Sequence, residues 1–78
     1  MIILSSHASD RIKERSIKTS EIETTIVDPD KSIKEDNIYR NYKNMGKYVI
    51  IVIYKIINNK DQFIITAIKS SKINKYIK

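Results

Sequence analysis

Apolar positions recur along this chain with two periods, and the change between them falls at its only proline, Pro29. Before it the spacing is helical. Ile2–Leu4 reads as a short first strand, after which Ser5 or Ser6 can offer a side-chain oxygen to the orphan N–H groups of a first helical turn. That helix is predicted from His7 to Arg15, with Ala8 and Ile12 facing inward one turn apart. Ser20 and Glu23 stand at capping-box spacing, and Ile22 and Ile26 follow as an apolar pair on one face of a second helix. Asp28-Pro29-Asp30 stops it, because the residue before a proline is pushed out of helical geometry.

After the proline the period is two. Lys31–Lys34 reads as an edge strand whose terminal lysines discourage pairing with another chain. Ile38, Arg40 and Tyr42 alternate with Tyr39, Asn41 and Lys43 in a half-exposed strand, and Asn44-Met45-Gly46 holds the only glycine, at a hairpin turn. Tyr48–Ile57 is apolar on both faces and rich in β-branched residues, as a central strand is. Asn58-Asn59 turns the chain into a second buried strand over Phe63–Ile68. In the tail from Lys69 to Lys78, Ile73, Tyr76 and Ile77 fall on one helical face, with Lys72, Lys75 and Lys78 on the other. The expected fold is α+β: two N-terminal helices packed on a small twisted antiparallel sheet, with a short C-terminal helix, in a single domain over 1–78.

Composition narrows the function. A chain of 78 residues has room for one core and buries only about 60% of the surface its unfolded form exposes. With no cysteine there is no disulfide staple, and one histidine without cysteine falls short of the ligand set of a structural zinc site. No cofactor motif is present. The opening Met1-Ile2-Ile3-Leu4 is far shorter than a signal-peptide apolar region, and the apolar run Tyr48–Tyr54 is too short to span a bilayer, so a cytoplasmic protein with no membrane partner is expected.

Charge is distributed unevenly. Met1–Asn37 carries 6 Lys/Arg against 8 Asp/Glu, a net −2, whereas Ile38–Lys78 carries 9 Lys/Arg against Asp61 alone, a net +8. Such asymmetry points to an anionic partner, nucleic acid first. His7, Arg11 and Arg15 recur every four residues and form one helical stripe, either an anion site or a solvated face shared with Asp10 and Glu14. Arg40 sits mid-strand among tyrosines in a chain with only three arginines. Tyr48 and Tyr54 read as core, their hydroxyls at the sheet margin.

The motif His7-Ala8-x-x-Arg11-Ile12-x-x-Arg15-x-Ile17, followed by Thr19-x-Glu21-Ile22 and Asp28-Pro29-Asp30, resembles a family of small bacterial and archaeal proteins that open H-A-x-x-R-M-x-x-R-G-I. That family looks like a branch of the RelE/ParE toxin superfamily. Asp28-Pro29, Arg40, Gly46 and Ile65-Thr66-Ala67 are also similar, in order, to landmarks of BrnT-like toxins. Two departures stand out: Ser16 replaces the glycine between the helices, and Ile68 and Asn74 stand where BrnT-like chains carry an arginine and a glutamate.

The resemblance implies a RelE-like fold, a cognate antitoxin protein as partner, and metal-independent cleavage of RNA, including ribosome-bound messenger RNA. Such cleavage needs a base for the 2′-OH, cations for the developing phosphorane charge and an acid for the leaving oxygen. His7 is the candidate base or acid, Arg11 and Arg40 the phosphate cations, and Tyr76 (or Tyr54) the donor or stacking group. Arg15, Lys43, Lys47, Lys69, Lys72 and Lys75 are the candidate nucleic-acid-binding cations. Two other readings stay open: a non-catalytic module of the same fold that binds a protein target, and a nucleic-acid-binding regulator.

Overall fold

One side chain joins the first strand, the first helix and the last strand. The Ser5 hydroxyl accepts from the Ala8 N–H at 3.0 Å and donates to the Ile65 carbonyl at 3.0 Å. It thereby caps α1 (Ser6–Glu14) as the chain leaves β1 (Ile2–Leu4), and ties that junction to β5 (Asp61–Ser70). The computed structural model describes residues 1–77, so Lys78 of the predicted tail lies outside the described residues. Between these elements run α2 (Thr19–Val27), β2 (Lys31–Glu35), β3 (Ile38–Asn44) and β4 (Val49–Ile57), and α3 (Ile73–Tyr76) follows β5.

The structure is α+β, with a five-stranded mixed sheet in the order β1-β5-β4-β3-β2. The strands β2 to β5 form an antiparallel meander, but β1 lies parallel to β5, so the wholly antiparallel sheet expected from sequence is corrected. No hairpin joins β1 to β5. The α1–α2 excursion returns the chain at the far edge of the sheet, leaving the direction of β1 free of turn geometry. The helices are also split between faces: α1 and α2 lie on one, and α3 on the other.

Caps explain the boundaries. Residues Ser16 and Ile17 close α1 in a Schellman arrangement, with N–H bonds to the Lys13 and Ile12 carbonyls, and Ser16 takes the left-handed φ of 53° that favours glycine. The second helix starts earlier than the Ser20–Glu23 spacing predicted. Its N-cap is Lys18, whose N–H donates to the Glu21 carboxylate at 2.9 Å, so Glu21 supplies the side-chain partner and Ser20 is already helical. At the other end Asp28 is the C-cap, ahead of Pro29. Strand β5 runs on through Lys69 and Ser70, which pair with Ile50 and Val49, so α3 begins later than the tail pattern suggested.

Alternation in β4 separates two apolar clusters. Ile50, Val52 and Tyr54 meet Ala8, Ile17 and Ile22 under α1 and α2. On the reverse side Val49, Ile51 and Tyr42 meet Ile73, Tyr76 and Ile77 around α3. Asn41 points into the first layer, where its amide nitrogen contacts the Thr25 and Ile26 carbonyls and the Tyr54 hydroxyl at 3.1–3.4 Å, while its oxygen accepts from Ser32 at 2.7 Å. The Tyr54 hydroxyl is therefore inside this network, not at the sheet margin, and burial raises its pKa.

Candidate nucleic-acid interface

Because cross-strand partners share a face, the register sorts every strand residue to one side of the sheet. The face without α1 and α2 carries Ile3 from β1, Phe63 and Thr66 from β5, Ile53 and Lys55 from β4, Ile38, Arg40 and Tyr42 from β3, and Lys31, Ile33 and Glu35 from β2. Its Tyr42–Ile51–Val49 end meets α3, where Lys31 Nζ also donates to the Tyr76 backbone carbonyl at 3.5 Å.

Arg40 stands on this open face between Ile33 and Ile53, its side chain 43% exposed and 3.9 Å from the Glu35 carboxylate. With Ile33, Glu35, Asp36 and Ile38 it lines a shallow cavity of about 250 Å³. Tyr76 reaches the same face: its ring tilts against Tyr42 at a centroid distance of 6.1 Å, and Lys75 lies 5.5 Å from its centroid. Lys72 is the exposed N-cap of α3, and Lys47 is exposed in the β3–β4 turn.

The other candidates lie elsewhere. His7 and Arg11 belong to α1 on the opposite face, where the Arg11 Nε donates to the His7 Nε2 at 3.5 Å and the Arg11 Nη1 bonds Glu14 at 2.8 Å. Arg15 donates to the Ala67 carbonyl at 3.1 Å, pinning α1 to β5. Lys43 faces the α1–α2 side and lies between Asp28 at 3.3 Å and Asp30 at 3.6 Å; its hydrogen bond to Asp28 holds its pKa above the ordinary value. Lys69 is on that side too, 4.3 Å from the Tyr48 ring centroid. Tyr48 donates to Glu21. Burial pushes the Glu21 carboxyl up, but the Lys18 N–H, the Tyr48 hydroxyl and Lys69 together bring it below its ordinary value.

The predicted catalytic set is therefore divided. Arg40 and Tyr76 share one face, His7 and Arg11 share α1, and the sheet stands between the pairs. Two cations of the open face, Lys31 and Lys55, were not among the sequence candidates, nor was Phe63. The available signal was Lys55 itself, a lone charge within the apolar run of β4.

Among the described residues no three His, Asp or Glu side chains gather to hold a metal ion, and no helix is long and apolar enough to cross a membrane. No curated protein and no solved structure matches the chain. One family model does match, over residues 4–69, from the end of β1 to the penultimate residue of β5. The chain belongs to the family described as Domain of unknown function (DUF4258).

Proposed function

We propose that this chain is a RelE/ParE-like, toxin-type protein that binds RNA through the sheet face away from α1 and α2, with a cognate antitoxin covering that face. The RNA reading rests on the setting of Arg40. A half-exposed guanidinium at mid-strand, loosely paired with a solvated Glu35, keeps its planar donors available for phosphate oxygens. Lys31 and Lys55 on the flanking strands add to its field. Support for the toxin-type and RelE-like assignments comes from the motif running from His7 to Asp30, together with two helices stacked on the face away from Arg40.

A second reading, metal-independent ribonuclease, is favoured by the contact between Arg11 and His7, which sets an imidazole beside a guanidinium on α1. In that reading the scissile phosphate sits over α1, and Arg40 serves binding only. Fluorescence anisotropy with a labelled RNA tests the main reading. Arg40→Gln should weaken binding about tenfold and lower the salt slope, and unchanged affinity would refute it. Induced expression followed by inspection of total RNA tests the second, since wild-type protein must then produce fragments.

A further inference from the structure

The register of the open face contains a diagonal. Lys55 on β4 is opposite Ile38; two residues along β3 comes Arg40, opposite Ile33; two residues along β2 comes Lys31. Each step crosses one strand and advances two residues, so successive Cα atoms are about 8 Å apart. A parallel diagonal lies one strand, about 5 Å, to the side. It runs through Phe63, Ile53 and Tyr42, the residues paired with Lys55, Arg40 and Lys31. The cations lean toward it: Lys55 Nζ is 5.5 Å from the Phe63 centroid and Lys31 Nζ 5.4 Å from that of Tyr42. Tyr76 tilts against Tyr42 and presents its own ring at that end.

We infer that this face takes single-stranded nucleic acid, its phosphates tracking Lys55, Arg40 and Lys31 and its bases lying over Phe63, Ile53 and Tyr76. The inference rests on the RNA reading above and sharpens it. A duplex turns its bases inward and shows phosphates to the protein surface, so it would press charged backbone onto the apolar diagonal. An open strand has a charged edge and flat apolar faces, and the two diagonals match one to each. About three nucleotides span the length of the cationic line, with the lysine stems adjusting to the phosphate spacing.

The test compares a short fluorescein-labelled oligouridylate with an RNA duplex of the same length, at matched salt. The single strand should bind at least tenfold more tightly. Phe63→Leu should lower single-strand affinity about tenfold and leave the duplex unaffected. Replacing Lys31, Arg40 and Lys55 together by Gln should reduce the single-strand salt slope by about 2. The chain has no tryptophan, so Phe63→Trp places one reporter on the platform, and the oligonucleotide should quench it. That variant reports even if Phe63→Leu is unstable. Equal or tighter duplex binding, or an unquenched Phe63→Trp alongside full affinity in Phe63→Leu, overturns the single-strand inference while Arg40-dependent RNA binding stands. Binding that ignores Arg40→Gln removes the underlying reading instead.

Discussion

Asn41 and Thr25 join the sheet to the second helix: the Asn41 amide donates to the Thr25 backbone carbonyl at 3.1 Å, in the last turn of α2. The carbonyls at a helix C-terminus lack intrahelical donors, and here a side chain from β3 supplies one inside the core. Asn41→Leu keeps the volume and removes the donor. It should destabilise the protein by about 2 kcal/mol, because the buried Thr25 carbonyl loses its donor. Urea unfolding measures this, and an unchanged midpoint would show that the amide is dispensable.

Ser16 holds a left-handed φ of 53° after α1. Glycine adopts that conformation without a Cβ clash, so Ser16→Gly should stabilise the fold by about 0.5–1 kcal/mol. In a chain of this size that corresponds to a rise in Tm of roughly 2–8 °C. Ser16→Val should lower it, since a β-branched side chain resists this geometry most.

The Glu21 carboxyl titrates below its ordinary value of 4.5 in the folded protein. A depressed folded pKa means that the carboxylate stabilises the fold above the unfolded value. That contribution is lost as pH falls through the folded one. Glu21→Gln can still accept the Lys18 N–H but carries no charge. Stability of the wild type, followed by urea unfolding between neutral pH and pH 3, should therefore fall more steeply below 4.5 than that of Glu21→Gln. Parallel curves would remove Glu21 from the acid response.

Separation of His7 from Arg40 by the sheet makes their variants independent. His7→Gln should leave RNA affinity unchanged, whereas Arg40→Gln should reduce it, and Arg40→Lys should recover only part because a point charge replaces a planar fork. If the wild type cleaves RNA without divalent metal, His7→Gln should slow cleavage by about two to four orders of magnitude. A His7→Gln protein that cleaves at full rate would exclude the imidazole from the chemistry.

Local pattern made the meander legible. Alternation places β3 and β4, Asn58-Asn59 supplies the two positive-φ residues of their turn into β5, and Pro29 marks the end of α2. What local pattern does not encode is which face a charge joins. Lys43 and Lys69 count toward the basic half just as Lys55 does, yet the register sets them under α1 and α2, one between two aspartates and the other on Tyr48. The direction of β1 was hidden for a related reason, since its partner lies at the other end of the chain. The bridging role of Asn41 is equally invisible in the alternation of β3, because its acceptors, Thr25 and Ile26, belong to a different element.

The Ser5 hydroxyl that closes the β1–α1 junction finds its acceptor 60 residues later, at Ile65. The hairpins β2–β3, β3–β4 and β4–β5 close through short turns, but β1 and the cap of α1 meet β5 only after nearly the whole chain has been gathered. Closing so long a loop costs conformational entropy before any contact offsets it. Folding should thus proceed from the meander outward, with the N-terminal strand docking last. On a ribosome, the first elements made are the last to find their place. Until Ile64 and Ala67 have emerged, Ala8 lacks the strand it packs against. The segment carrying the His7–Arg11 motif then stays open to proteases and chaperones for most of synthesis.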